Sequence, residues 1–128
     1  MKRVCVVTGS RAEYGLLRPL LQQFKNSKTT ELQLVVTGMH LNHEFGSTWK
    51  LIAADGFKID HKVQMLIGSD TPNAISKSVG LGLIGFADVL DKQQPDILIV
   101  LGDRFEMLPA AVASVLYQVP LAHIHGGE

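Results

Sequence analysis

Three stretches carry side chains able to do chemistry, and each stands where a strand pattern stops. Gly9-Ser-Arg-Ala-Glu-Tyr-Gly15 is a glycine-bracketed turn that contains Arg11. Leu101-Gly-Asp-Arg-Phe-Glu106 presents Asp103 directly behind a run of branched apolar residues. His123-Ile-His-Gly-Gly-Glu128 gathers two imidazoles, those of His123 and His125, and the carboxylate of Glu128. A guanidinium fork at a helix start suits phosphate oxygens, because the first backbone N–H groups of a helix favour anions. The alternative for Arg11 is a solvated residue at a plain helix entry, since the pattern is neither a P-loop nor a dinucleotide fingerprint. Asp103 reads as a general base, as a cap for the helix that follows, or as both, and a helix N-terminus favours its ionised form. His125 and Glu128 read as an acid–base cluster, with an imidazole titrating near neutrality and carboxylates for proton transfer. A metal site with Asp103 as a further ligand is the competing reading, although no known ligand spacing is matched. His123 is expected as a strand residue hydrogen-bonded in the core. His40 and His43 sit on another loop, outside this group.

The elements that position these residues alternate between strand and helix. Strand patterns run over residues 3–8, 31–37, 57–63, 97–101 and 119–124. Between them, Leu16, Leu17, Leu20, Leu21 and Phe24 recur at helical spacing. A helix over 44–54 presents Phe45, Trp49 and Ile52 on one side. The longest helix, 72–92, opens on Pro72 and turns Ile75, Val79, Leu83, Phe86 and Leu90 to the core, and a further helix covers 105–117. Ile97 to Leu101 is unbroken and apolar, as a strand covered on both faces requires. Residues 57–63 alternate, which predicts a half-exposed edge strand. Such alternation predicts an α/β, Rossmann-like, three-layer, doubly wound parallel sheet of order 3-2-1-4-5 with right-handed crossovers. Its ligand crevice then lies at the switch point between strands one and four, where the loops of Arg11 and Asp103 meet. Gly80-Leu-Gly-Leu-Ile-Gly85 matches a dinucleotide fingerprint in letters only, because it lies inside a helix rather than after a strand. Small residues that let this helix approach the sheet explain it better.

Composition narrows the class. At 128 residues the chain is one domain, and 46% hydrophobic content lies between disordered and membrane compositions. The longest near-apolar run, Val79 to Leu90, contains Asp88 and is too short to span a bilayer. Twelve basic and twelve acidic residues cancel, so no global field draws nucleic acid or a membrane surface. The one cysteine, Cys5, falls in a strand run and is expected as a buried hydrophobe, which fits a reducing cytoplasm. Lys2 and Arg3 precede only four apolar residues, which is not a secretory signal. The chain stops on a strand followed by Gly-Gly-Glu, with no closing helix. Residues 1–128 are therefore expected to be a truncated Rossmann-like domain that self-associates through an open sheet edge.

The three stretches, with Val36-Thr-Gly-Met-His-Leu41 and Gly46, resemble the hydrolysing UDP-N-acetylglucosamine 2-epimerases over the whole length and in the expected order. The resemblance implies the N-terminal half of a GT-B fold, with the second, nucleotide-holding domain absent. It also implies a UDP-sugar substrate, a homo-oligomer, and no metal or other cofactor. Arg11 matches the family arginine beside the diphosphate, and Asp103 matches the catalytic acid of the Gly-Asp motif. His125 stands where many members carry a catalytic Glu, so the proton falls to His125 itself or to Glu128, which matches an acid shared across the family. In the implied reaction, UDP leaves C1 as a base takes the C2 proton, and water adds to the resulting glycal with a proton delivered to the other face. The family makes N-acetylmannosamine for sialic acid, and close relatives act on bacillosamine-type sugars for legionaminic acid. A non-hydrolysing epimerase, a non-catalytic nucleotide-sugar module and a metal hydrolase are the alternatives. Tyr14 and the Asp-Arg-Phe-Glu run after Gly102 lean to the hydrolysing branch.

Overall fold

The structure, a computed structural model, describes residues 1–41, 47–65, 70–102 and 105–124. Strands β1 (Lys2–Thr8), β2 (Thr30–Thr37), β3 (His61–Val63), β4 (Ile97–Leu101) and β5 (Leu121–Ile124) form one sheet of order β3-β2-β1-β4-β5. Every pairing is parallel, which is the expected topology. Helices α1 (Arg11–Asn26), α2 (Trp49–Ala54), α3 (Pro72–Gln93) and α4 (Met107–Leu116) make the crossovers, and a 3-10 turn (Gly38–Leu41) follows β2. Successive residues of β1 serve opposite faces, as the two-residue period of a strand demands. Cys5 and Val7 join Leu98, Val100, Phe86, Leu90 and Ala110 in the core under α3 and α4. Val4 and Val6 join Leu34, Val36, Leu17, Leu21 and Ile52 in the core under α1 and α2. Cys5 is fully buried, and desolvation, with a smaller push from the Asp60 charge, raises its thiol to about 12. It is the inert hydrophobe its surroundings predicted.

The departures from expectation have local causes. Helix α1 begins at Arg11, several residues before its apolar stripe, because the Ser10 side chain accepts the Glu13 N–H and caps the helix early. Strand β3 is three residues long, not the seven expected. Upstream of it, Asp60 binds both the N–H and the C=O of Leu34, the former through its carboxylate, so side chain replaces ladder there. Helix α2 starts at Trp49, and the part expected over 44–46 lies outside the described residues. Helix α4 and strand β5 are each shorter than expected by two residues at the start. Pro72 occupies the first turn of α3, as expected, and the Thr71 side chain caps the helix by accepting the Ala74 N–H. Its buried face agrees in part: Phe86 and Leu90 are buried as expected, but so are Ala74, Ser78, Gly82 and Val89, whereas Ile75, Val79 and Leu83 are only half-buried. The glycines explain the rotation. A Cβ on Gly82 would stand 2.7 Å from Pro109 Cγ, and one on Gly85 would stand 2.6 Å from Val63 Cγ1. Backbone, not bulk, makes the closest approach there, whereas Gly80 faces open space.

Candidate active site

A parallel sheet delivers the carboxyl ends of its strands, and the turns after them, to one edge. Here Thr8 ends β1, Thr37 ends β2, Leu101 ends β4 and Ile124 ends β5. Because β1 pairs with both β2 and β4, the turn after β1 stands between the other two. Arg11 is exposed in the first turn of α1 and forms no ion pair with a described residue. It is therefore open to an anionic ligand. The helix start itself is partly occupied: the Gly9 N–H donates to Glu13 Oε1 at 3.0 Å, and the Glu13 N–H donates to Ser10 Oγ. Charge on the guanidinium, more than these amides, is what this turn offers a phosphate.

Asp103, His125 and Glu128 lie outside the described residues. Gly102 and Ile124, which precede Asp103 and His125 in the chain, are described. The Gly102 N–H donates to the carbonyl of Ile124 at 2.9 Å, so residue 102 and residue 124 are hydrogen-bonded to each other. His123 donates from Nε2 to the Gly102 carbonyl, which fixes its tautomer when neutral. His123 is exposed, however, not in the core. The reason is that β5 is an edge strand without a neighbour beyond it among the described residues. Gly102 has φ +80, a left-handed conformation that side chains with a Cβ rarely adopt.

Three buried polar side chains at this edge escaped the reading of the sequence. Glu13 is 7% exposed, Glu106 is fully buried and His40 is fully buried. Glu106, at the start of α4, lies across the turns after β1 and β2. A Cβ on Gly38 would stand 2.9 Å from Glu106 Cγ and 2.9 Å from the Gly9 carbonyl oxygen. With φ +61 as well, position 38 admits only glycine without rearrangement. His40 connects loops thought separate: Nε2 meets Thr8 Oγ1 at 2.9 Å, and Nδ1 meets Thr48 Oγ1 at 2.8 Å. Thr8 donates onward to the Ser10 carbonyl, so His40 carries its proton on Nε2 and accepts from Thr48 on Nδ1. The Tyr14 ring meets the imidazole edge-on at 6.4 Å. Burial, opposed by the nearby Ser10 carbonyl, lowers the His40 pKa to about 4, so the ring is neutral at physiological pH. Ser10-x-x-Glu13 is a capping-box pattern, the one sequence signal that would have flagged Glu13. Among the described residues no cluster of three or more His, Cys, Asp or Glu side chains is placed to hold a metal. The cleft lined by Asp91, Gln94, Asp96, Tyr117 and Gln118 opens at the other end of β4 and β5, away from every residue singled out for chemistry.

Residues 22–128 match the sequence model of the family described as UDP-N-acetylglucosamine 2-epimerase. The chain is 38% identical, over all 128 residues, to UDP-N,N'-diacetylbacillosamine 2-epimerase (hydrolyzing) of Legionella pneumophila, of which it covers 34%. It is 40% identical over 127 residues to GDP/UDP-N,N'-diacetylbacillosamine 2-epimerase (hydrolyzing) of Campylobacter jejuni, covering 99% of this chain and 33% of that protein. It is also 40% identical over 128 residues to polysialic acid biosynthesis protein P7 of Escherichia coli, again 33% of that protein. The chain thus spans about a third of the length of these curated relatives. Its fold superposes on UDP-GlcNAc 2-epimerase from Neisseria meningitidis bound to UDP-GlcNAc, with a TM-score of 0.80 at 22% identity over 100% of this chain and 33% of that one. It superposes equally on the Methanocaldococcus jannaschii UDP-GlcNAc 2-epimerase in complex with UDP-GlcNAc and UDP, with a TM-score of 0.79 at 22% identity over 99% and 33% of the two chains.

Proposed function

The chain belongs to the UDP-N-acetylglucosamine 2-epimerase family, and on that premise we propose that it is the amino-terminal part of a hydrolysing member. The whole protein converts a UDP-2-acetamido sugar and water into the free 2-epimer and UDP. The observation that carries this reading is the 38–40% identity, along the whole chain, to two enzymes named as hydrolysing. The substrate is UDP-N-acetylglucosamine, and the product is N-acetylmannosamine. A UDP-diacetamido sugar is the second reading, favoured by the lower identity, 33%, to the Neisseria meningitidis UDP-N-acetylglucosamine 2-epimerase.

In this reading the crevice at the carboxyl ends of β1 and β4 receives the sugar diphosphate. Arg11 stabilises the negative charge that grows on the leaving diphosphate. Asp103, His125 and Glu128 share the proton transfers: one carboxylate takes the C2 proton as the C1–O bond breaks, and another group returns a proton to C2 from the opposite face as water adds to C1. Atoms balance with water as the only co-reactant, and no electron is gained or lost. Gly102 hydrogen-bonded to Ile124 supports this assignment, since it joins the backbones leading to Asp103 and His125. The uridine diphosphate is completed by a second Rossmann-like domain, so residues 1–128 alone lack half the cleft. The protein is a cytoplasmic homo-oligomer in this reading. Incubation of the protein that carries this chain at its amino end with either UDP-sugar, followed by NMR of the products, tests it. Free N-acetylmannosamine with UDP is expected. UDP-N-acetylmannosamine would assign the non-hydrolysing reaction, and binding without turnover would leave a nucleotide-sugar module.

A further inference from the structure

Glu13 has a reach that helix capping does not require. In a capping box the glutamate of the first turn returns to the N–H of the capping residue itself. Here Ser10 caps, but Glu13 Oε1 passes it and accepts the N–H of Gly9, outside the helix. The other oxygen points toward a different strand. Glu13 Oε2 lies 3.4 Å from the position a Cβ on Gly102 would take. Gly102 is held from the other side by β5, through its N–H to Ile124 and its carbonyl to His123. One buried carboxylate therefore lies between the turn after β1 and the turn after β4, the two that flank the switch point. The first turn continues into Arg11, and Asp103 is the next residue of the second.

We propose that Glu13 is a positioning residue that sets the spacing between these two turns. It accepts the backbone N–H of Gly9 and stands beside Gly102. This role rests on the reaction proposed above, in which the phosphate charge and the proton-transfer group must stand at a fixed separation. A displacement of about 1 Å in such an arrangement is enough to lower turnover about 100-fold.

Three variants of the whole protein separate reach from capping. Glu13→Gln keeps the length and an oxygen for the Gly9 N–H. Glu13→Asp keeps the charge at the helix start but is one methylene shorter. Glu13→Ala keeps neither. The expected kcat is within about 3-fold of the parent for Gln and lower by about 10–100-fold for Asp and Ala, with KM for the UDP-sugar changed far less. Amide hydrogen exchange in the same proteins should show Gly9 and Gly102 losing protection together in Asp and Ala, and in neither case for Gln. A parent-like kcat in Glu13→Asp, or loss of protection at Gly9 alone, would reduce Glu13 to a helix cap and overturn the proposal. Absence of UDP-sugar turnover in the parent would sink the reaction assigned above. The exchange data would still decide whether Glu13 couples the turns. Glu13→Asp, which suits a first helical turn, keeps the test open should Glu13→Ala fail to fold.

Discussion

Acidification should weaken this domain through His40, and the size of the effect follows from its surroundings. The imidazole is fully buried and neutral, with one nitrogen donating to Thr8 and the other accepting from Thr48. Protonation would turn both nitrogens into donors, force the Thr48 hydroxyl to reverse, and place a charge in a dry site. Its pKa accordingly falls from 6.5 to about 4. The unfolded chain takes up this proton near pH 6.5 and the folded chain does not until near pH 4. Stability from this group is therefore complete above pH 6.5 and is lost as pH falls through that window, by about 3 kcal/mol in all. Carboxylates titrate in the same range, so the assay needs a matched reference. In His40→Gln the side chain does not titrate and still offers an N–H to Thr8. Urea unfolding at pH 7.5 should find the variant about 1–2 kcal/mol less stable, for the lost bond to Thr48 and the lost ring contact. By pH 4.5 the difference should close and change sign. A difference that stays constant from pH 7.5 to 4.5, or an NMR titration of His40 with its midpoint near 6.5, would refute the reasoning.

Arg11→Ala in the whole protein should raise the dissociation constant for UDP by about 10–100-fold, the value of a charge-assisted phosphate contact, measured by calorimetry. Gly82→Ala should destabilise the domain by about 1–3 kcal/mol, because its Cβ meets Pro109 and Met65, and unfolding midpoints report this. Gly80→Ala, which meets nothing within 4 Å, should instead stabilise by about 0.5–1 kcal/mol. The isolated 128-residue chain should turn over no UDP-sugar, and light scattering should find it self-associated through its sheet edges and the exposed Leu108, Val115 and Leu116 of α4.

The architecture was legible because parallel sheets write their burial into the sequence. Ile97 to Leu101, Val4 to Val7 and Leu34 to Val36 are apolar on both faces, and their alternation with helical stretches leaves one simple winding. Arg11, Asp103, His125 and Glu128 were singled out because each follows a strand pattern in the sequence. The inner polar frame was not. Glu13, Glu106 and His40 look like solvated loop residues from composition, and their burial arises only when turns 30 to 100 residues apart are gathered at one edge, a consequence of topology. Thr8 and His40 are 32 residues apart, for example. The face of α3 was foreseen at Phe86 and Leu90 but not nearer its start, for a related reason. Apolar periodicity marks bulk, whereas Gly82 and Gly85 make the contact by having none. His123 was placed in the core on strand pattern alone, but an edge strand leaves one side of its residues to solvent.

The proposed chemistry is tested most directly by running the reaction in deuterium oxide. The protein bearing this chain at its amino end is incubated with UDP-N-acetylglucosamine and the sugar released is followed by NMR. Elimination of UDP and rehydration of a glycal in the crevice require free N-acetylmannosamine carrying deuterium at C2, alongside UDP. A free sugar that keeps its original C2 proton, or a product still joined to UDP, would contradict it.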